Sequence, residues 1–397
     1  MILVVNAGSS SIKFKLFSIE DKQNPISQVE GLAERISVDG KLTIELNGIK
    51  NTYEDKMENH LDAVKSILKR FTELKVISKP EDIKGIGFRI VHGGENIVNT
   101  VELTKDIKKT IEENIRLAPL HNPGALTSIN AFEENLSDAK LVGCFDTSFH
   151  QTMPEISYMY PVPYNWFEDL KVRKYGFHGI SYDYITVKAQ EIFSKNKDNL
   201  NLIVCHLGNG ASICGIKNGK SYNTTMGLTP LAGLMMGTRS GDIDPSILQY
   251  VGKELNKDIF EITDELNKQS GLHGISGVGS DMRDISEKAN KGEKRAKLAM
   301  EMYSQIVADF IVKFTNQINE KIDAIVFTAG IGENSSIIRK MVVNKCNLLN
   351  LSIEDQKNNS KYDDYLEISS PLSKIPVYKI RTNEELMICK ETIKFLK

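Results

Sequence analysis

The sequence predicts an α/β protein whose two domains repeat one topology, and three observations predict it. The chain has 397 residues, too many for one ordinary core, since domains usually hold about 100–200 residues. Short apolar strands alternate with helical periodicity in an order (strands, then helix, strand, helix, strand) that returns in the second half with little sequence identity. A loop of small residues follows the first strand of each half.

Taken in order, Ile2 to Val5 is a buried-strand run, and after a Gly/Ser turn Ser11 to Phe17 alternates as its hairpin partner. Gln28 to Ile36 and Lys41 to Leu46 flank Asp39-Gly40, a strong hairpin dipeptide. Leu61, Val64, Ile67, Leu68 and Phe71 recur at helical spacing. There follow a strand over Ile83 to Val91 and a helix through Ile107, Ile111 and Ile115. A second helix opens at Asn122-Pro123, read as a cap followed by Pro at its first position, and a strand runs from Lys140 to Phe145, ending at Asp146. In the second half Asn201 to His206 and Ala211 to Lys217 form a hairpin, with a third strand near Tyr222 and a long helix from about Arg295 to Ile318. Strand Asp323 to Thr328, a helix after Asn334, strand Ile375 to Ile380 and a terminal helix complete it. The expected domains are 1–150, onto which 384–397 packs back, and 151–383, with the Pro-, Tyr- and Trp-bearing stretch 151–174 as hinge.

Composition removes several function classes. The chain is 41% hydrophobic and 26% charged, a globular balance rather than a disordered one. Lys plus Arg is 50 against 52 acidic residues, so no overall positive field exists to condense onto nucleic acid or an anionic membrane. The five cysteines are scattered in apolar runs and read as reduced core thiols of a cytoplasmic protein, and no Cys or His spacing offers a zinc site. The opening apolar run is too short for a signal peptide, and no stretch approaches the ~18 apolar residues of a membrane span.

The chemistry gathers in loops. NAGSSSIK, residues 6–13, and HLGNGAS, residues 206–212, place small residues between paired strands, where backbone amides can approach phosphate oxygens. Either alone is an ordinary hairpin; their duplication at equivalent places points to phosphate. Ser9, Ser10, Ser11 and Lys13 add donors and charge. In DAIVFTAGIGENS, residues 323–335, a buried strand ends in glycines before a helix, which favours bound nucleotide. Ser335 stands where the dinucleotide fingerprint needs its third glycine, and GIKNGKS, residues 215–221, is one residue short of a P-loop, so both common nucleotide folds are disfavoured. Thr382-x-x-Glu385 reads as a capping box that occupies Glu385 and leaves Glu384 free. Placement near the helix dipole is the plain alternative for Glu384.

Two phosphate hairpins and a glycine-rich adenosine loop on duplicated domains resemble the superfamily that unites actin, the heat-shock chaperones and the sugar kinases. That resemblance implies duplicated actin-like ATPase (ribonuclease H-like) domains with an interdomain active-site cleft that holds ATP. The strings GFRIVHGG (87–94), FDTSFH (145–150), YGFHG (175–179) and MGTRSGD (236–242) resemble the acetate kinase family over essentially the whole chain. The resemblance implies Mg-dependent phosphoryl transfer from ATP to acetate, giving acetyl phosphate and ADP, by a cytoplasmic homodimer, with manganese able to replace magnesium. It implies that Arg89 holds acetate and that Arg239 with His178 stabilises the transferring phosphoryl group. Val91, Leu120, Phe177 and Pro230 would wall the methyl group. Asp146 matches a residue treated as catalytic; since acetic acid is already ionised at neutral pH, orienting Mg2+ suits it better than proton removal. Asn6 and Glu384 would contact the metal. Nucleotide contacts would come from Lys13, from His206, Leu207, Gly208, Asn209 and Gly210, from Asp281, Met282 and Arg283, and from Gly330, Ile331, Gly332, Glu333 and Asn334. For Asp281 and Arg283 an exposed ion pair is an equal reading. Propionate or butyrate kinase is the near alternative, and a non-catalytic ATP-switched protein the distant one.

Overall fold

The computed structural model describes residues 1–119 and 121–396, so Leu120 lies outside the described residues. The chain forms two units, Met1–Phe149 with Asn383–Lys397, and His150–Thr382.

The first unit is built on β1 (Ile2–Ala7), β2 (Ser11–Ser18), β3 (Ile26–Glu34), β4 (Lys41–Leu46), β5 (Ile49–Tyr53), β6 (Gly85–Ile90), β7 (Val101–Glu102) and β8 (Lys140–Phe145), in the sheet order β5-β4-β3-β2-β1-β6-β8-β7. β1, β6 and β8 run parallel, and the hairpin strands run antiparallel to their neighbours. Alternation along β6 sets the layers, because successive side chains of a strand point to opposite faces. Phe88 meets Phe132 of helix Asn122–Asn135 edge-on at 5.7 Å. Gly87, one residue earlier, lies beneath helix Glu384–Ile393, where an added Cβ would collide with Thr392 and Ile388. Phe14 and Phe71 meet at 5.5 Å where helix His60–Glu73 joins the core.

The second unit carries β9 (Leu202–Leu207), β10 (Ala211–Lys217), β11 (Lys220–Thr224), β12 (Ala324–Thr328), β13 (Tyr365–Glu367) and β14 (Val377–Ile380), ordered β11-β10-β9-β12-β14-β13. β9, β12 and β14 are parallel. β9 and β12 are buried along their whole length, as strands covered on both faces must be. The order β11-β10-β9-β12-β14 repeats β3-β2-β1-β6-β8, which is the duplication expected from the element order. Helix Lys294–Ile318 packs on β9 and β10. All five cysteines are buried thiols, none of them in a disulfide.

Several local readings are corrected. β5 and β7 were not expected; β5 is an exposed edge strand without apolar alternation, and β7 has two residues. His121, not Asn122, stands before the helix, and Asn122 is buried, donating to the carbonyl of His92 at 3.0 Å. No Thr382–Glu385 capping box forms: Asn383 caps helix Glu384–Ile393, its side chain accepting from the Leu386 amide. Residues 151–174, expected as the hinge, follow directly on the unit boundary between Phe149 and His150, and within them the Arg173 guanidinium stacks 3.7 Å from the Tyr158 ring.

Candidate active site

In the first unit, strand register builds the site. Asn6 on β1 pairs with Lys13 on β2 and with Arg89 on β6, so three polar side chains stand in a row across neighbouring strands. Helix Glu384–Ile393 lies over this row, and Asn6, Lys13, Arg89, Glu384 and Glu385 line a cavity of about 20 Å³. Arg89 donates from Nε and Nη2 to both oxygens of Asp146, at 3.1 and 2.7 Å, a two-pronged ion pair. Asp146 is buried at the end of β8, and its charge raises the Arg89 pKa above the ordinary arginine value. Glu384 stands 3.9 Å from Arg89. Burial pushes its carboxyl up to about 7, with Arg89 opposing and Asp146 adding to the rise. Glu385 is bonded to Lys13 at 2.6 Å; burial acts to raise its pKa, yet the Lys13 contact leaves it below the usual glutamate value. Glu384 is therefore an engaged carboxyl of the cavity rather than a free one. The first hairpin loop is held from behind: Gly8 O meets His60 Nε2 at 2.9 Å, and Gly124 presses so near that a Cβ there would lie 2.7 Å from the Gly8 carbonyl carbon.

In the second unit, His178 is the residue before helix Gly179–Phe193 and has φ of 60°, a left-handed conformation uncommon among residues other than glycine, in which histidine is found more often than most. Its ring stacks on His206, centroids 4.1 Å apart. Loop 236–239 is clamped from the start of helix Gly271–Ser276, through Leu272 N to Met236 O and His273 N to Gly237 O. Gly237 N in turn donates to Asn209 O of the second hairpin loop, at 2.9 Å. Arg239 thereby sits near Gly210: an ideal Cβ on Gly210 would be 3.4 Å from Arg239 Nη1 and 3.7 Å from His178 Nε2. Arg239 donates to the Pro230 carbonyl at 3.1 Å and makes no ion pair among the described residues. Burial lowers its pKa.

A larger cavity of the same unit, about 730 Å³, is lined by Gly208, Asn209, Asp281, Met282, Arg283, Gly330, Ile331 and Asn334. Three sequence-distant motifs read as nucleotide contacts thus share one hollow. Asp281 and Arg283 form the exposed ion pair, 2.6 Å apart, and both line this hollow. The carboxylate of Glu333 is engaged by the amides of Ala329 and Thr382, at 2.9 and 3.1 Å. Buried Arg339 holds the carbonyls of Gly332 and Glu333 from beneath. Arg339, Ser280 and Ser286 were not read as site residues; scattered serines and an arginine inside a helical run carry no distinguishing pattern. Val91 and Pro230 are half-buried and Phe177 is buried.

Among the described residues no cluster of three His, Cys, Asp or Glu is arranged as a metal site. Asn6 and Glu384 do supply hard oxygen donors on one cavity, which suits magnesium, an ion that keeps several waters and takes one or two protein carboxylates beside substrate phosphates. No described helix is long and apolar enough to cross a membrane.

Residues 1–390 match the acetokinase family. The chain is 57% identical over 397 residues, all of both chains, to the acetate kinase of Mycoplasma mycoides subsp. mycoides SC. Among solved structures it is similar to the Porphyromonas gingivalis acetate kinase, with a TM-score of 0.95 and 39% identity over 100% of this chain and 99% of that one. A propionate kinase from Francisella tularensis subsp. tularensis matches with a TM-score of 0.93 and 42% identity over the same shares.

Proposed function

This chain belongs to the acetokinase family, and from that membership we infer its reaction: it is an acetate kinase, a phosphotransferase whose acceptor is a carboxyl group. The family uses ATP, so the reaction converts ATP and acetate into ADP and acetyl phosphate. Reactants on both sides are anions. Catalysis therefore consists of positioning and charge neutralisation.

The observation that carries the residue assignment is Arg239, a half-buried guanidinium without an anionic partner among the described residues, beside His178 Nε2 over Gly210. We assign these two groups to the transferring phosphoryl, whose equatorial oxygens supply the missing negative charge. Arg89 binds the acetate carboxylate. Its Nε and Nη2 face Asp146 in this structure, so Asp146 sets the orientation of the guanidinium that meets acetate. An acetate oxygen attacks the γ-phosphorus and the ADP oxygen leaves; no proton is removed from the acceptor, and Asp146 is not needed as a base. Magnesium, with manganese able to replace it, neutralises phosphate charge when bound, and Asn6 and Glu384 are the residues assigned to it. Lys13 and the 730 Å³ hollow, with His206 to Gly210, Asp281 to Arg283 and Gly330 to Asn334, take the nucleotide. The apolar residues assigned to the acetate methyl group are Val91, Phe177 and Pro230, together with Leu120, which lies outside the described residues. The setting proposed is cytoplasmic and the assembly a homodimer, supported by exposed apolar side chains such as Tyr250 and Phe260 on the second unit.

Trapping the acyl phosphate with hydroxylamine across formate, acetate, propionate and butyrate tests the reading. Acetate should give the highest kcat/KM; a higher value for propionate would favour the activity named for the Francisella neighbour, and no ATP-dependent acyl phosphate would remove the kinase assignment.

A further inference from the structure

The stacked histidines of the second unit are each held by a buried serine. His178 Nδ1 lies 2.8 Å from Ser212 Oγ, and His206 Nδ1 lies 2.9 Å from Ser181 Oγ. Neither serine has exposed surface. Each serine in turn meets a second hydroxyl: Tyr182 Oη at 2.5 Å from Ser212, and Thr382 Oγ1 at 2.7 Å from Ser181. Thr382 is itself fixed, because its amide donates to Glu333, the residue that also closes the glycine turn at Ala329.

A serine hydroxyl has one proton, and a neutral imidazole has one donor and one acceptor nitrogen. The phenol of Tyr182 is the more acidic hydroxyl of its pair, which favours donation to Ser212 and leaves the Ser212 proton for His178 Nδ1. The second pair admits the matching order, Thr382 to Ser181 to His206. We propose that these two hydroxyl pairs are positioning devices that lock both imidazoles as the Nε2–H tautomer, so that a stacked neutral pair presents two N–H donors to an anionic phosphoryl group. The inference rests on the assignment of His178 and His206 to phosphate. Two imidazolium rings stacked at this separation would repel each other, which favours the neutral pair. A serine proton aimed at Nδ1 also withholds the lone pair that a second proton would need. Through Thr382 and Glu333, the ring of His206 is tied to the turn that lines the nucleotide hollow.

Long-range ¹⁵N correlation spectra of the full chain, labelled at its seven histidines, read the tautomers directly, with His178→Gln and His206→Gln assigning the two signals. Both rings should show an unprotonated Nδ1 and a protonated Nε2. Ser212→Ala and Thr382→Val should give mixed tautomers and lower kcat by on the order of 10-fold to 100-fold, the usual size for loss of an orienting partner. Acetate and ATP KM should stay within about twofold, since an orienting hydroxyl acts on the transition state rather than on ground-state binding. Thr382→Ser should restore both tautomer and rate. Thr382→Val keeps the backbone bond to Glu333, and its melting temperature separates misfolding from mispositioning. A protonated Nδ1 on either ring of the unaltered enzyme, or variants with unmixed tautomers, would overturn the proposal. Full turnover in His178→Gln would instead remove His178 from catalysis and leave the tautomer result standing.

Discussion

Two arginines of this molecule meet opposite fates, and their neighbours explain why. Arg89 has Asp146 on two of its nitrogens, whereas Arg239 is held by a carbonyl and has no carboxylate partner among the described residues. Arg239→Ala should therefore reduce kcat by about 100-fold to 1000-fold, the range for loss of one charge-stabilising donor, while ATP affinity changes little. Lost nucleotide affinity with intact turnover would place Arg239 elsewhere. Arg89→Ala should raise acetate KM strongly and also lower stability by about 3–5 kcal/mol, because Asp146 is left buried and unpaired; adding Asp146→Asn should recover much of the melting temperature and none of the acetate affinity. Recovery of both would show that Arg89 only neutralises Asp146. Val91 tests the acceptor pocket. Pockets discriminate by roughly 10-fold to 200-fold per methylene, so Val91→Ala should raise the propionate to acetate ratio of kcat/KM at nearly constant ATP KM. A ratio that stays put while the melting temperature drops would make Val91 a core residue.

At the scale of elements, what could be read from sequence divides along physical lines. Strand and helix periodicity, the Asp39-Gly40 turn and the two small-residue hairpins were legible because they are local. The pairing of Arg89 with Asp146 was not, since it depends on β6 lying beside β8, a contact that spans 57 residues. Nor was the role of Asn122, whose position before Pro123 imitates a cap while its side chain serves the His92 carbonyl. Glu384 was reached by resemblance and by elimination from a capping box that does not form, so its placement beside Arg89 rests on tertiary packing. The helix behind the first hairpin loop gives a direct test. Gly124→Ala would put a methyl 2.7 Å from the Gly8 carbonyl carbon and 2.9 Å from the Ser9 amide, so helix or loop must move. The expected result is a loss of about 1–3 kcal/mol, the usual size for overpacking, together with a raised KM for ATP, because the displaced amides are those assigned to phosphate. Unchanged ATP KM in a destabilised variant would detach that loop from the nucleotide.

Across the whole molecule, each unit conceals a histidine that burial holds near a pKa of about 4, His92 in one and His150 in the other. In the unfolded chain both return to about 6.5, so between these values the unfolded state binds more protons. Stability should fall as pH drops from about 6.5 toward 4, by a few kcal/mol per site. Melting temperatures measured from pH 7.5 to 4.5 check this, and a flat profile would mean that protons reach these rings without unfolding. The discontinuity of the first unit has a separate consequence, for synthesis. Residues 150–382 form a continuous unit, but the sheet begun at Ile2 receives its covering helix, and with it Glu384 and Glu385, only from residues made after Thr382. A growing chain on the ribosome carries the polar row of Asn6, Lys13 and Arg89 uncovered through most of translation, and a chain ended before residue 384 holds every residue of the second unit but lacks the helix that covers the first. Such a product exposes apolar strand surface to other chains and invites chaperones and proteases, so truncated copies should be cleared before they could bind and withhold nucleotide.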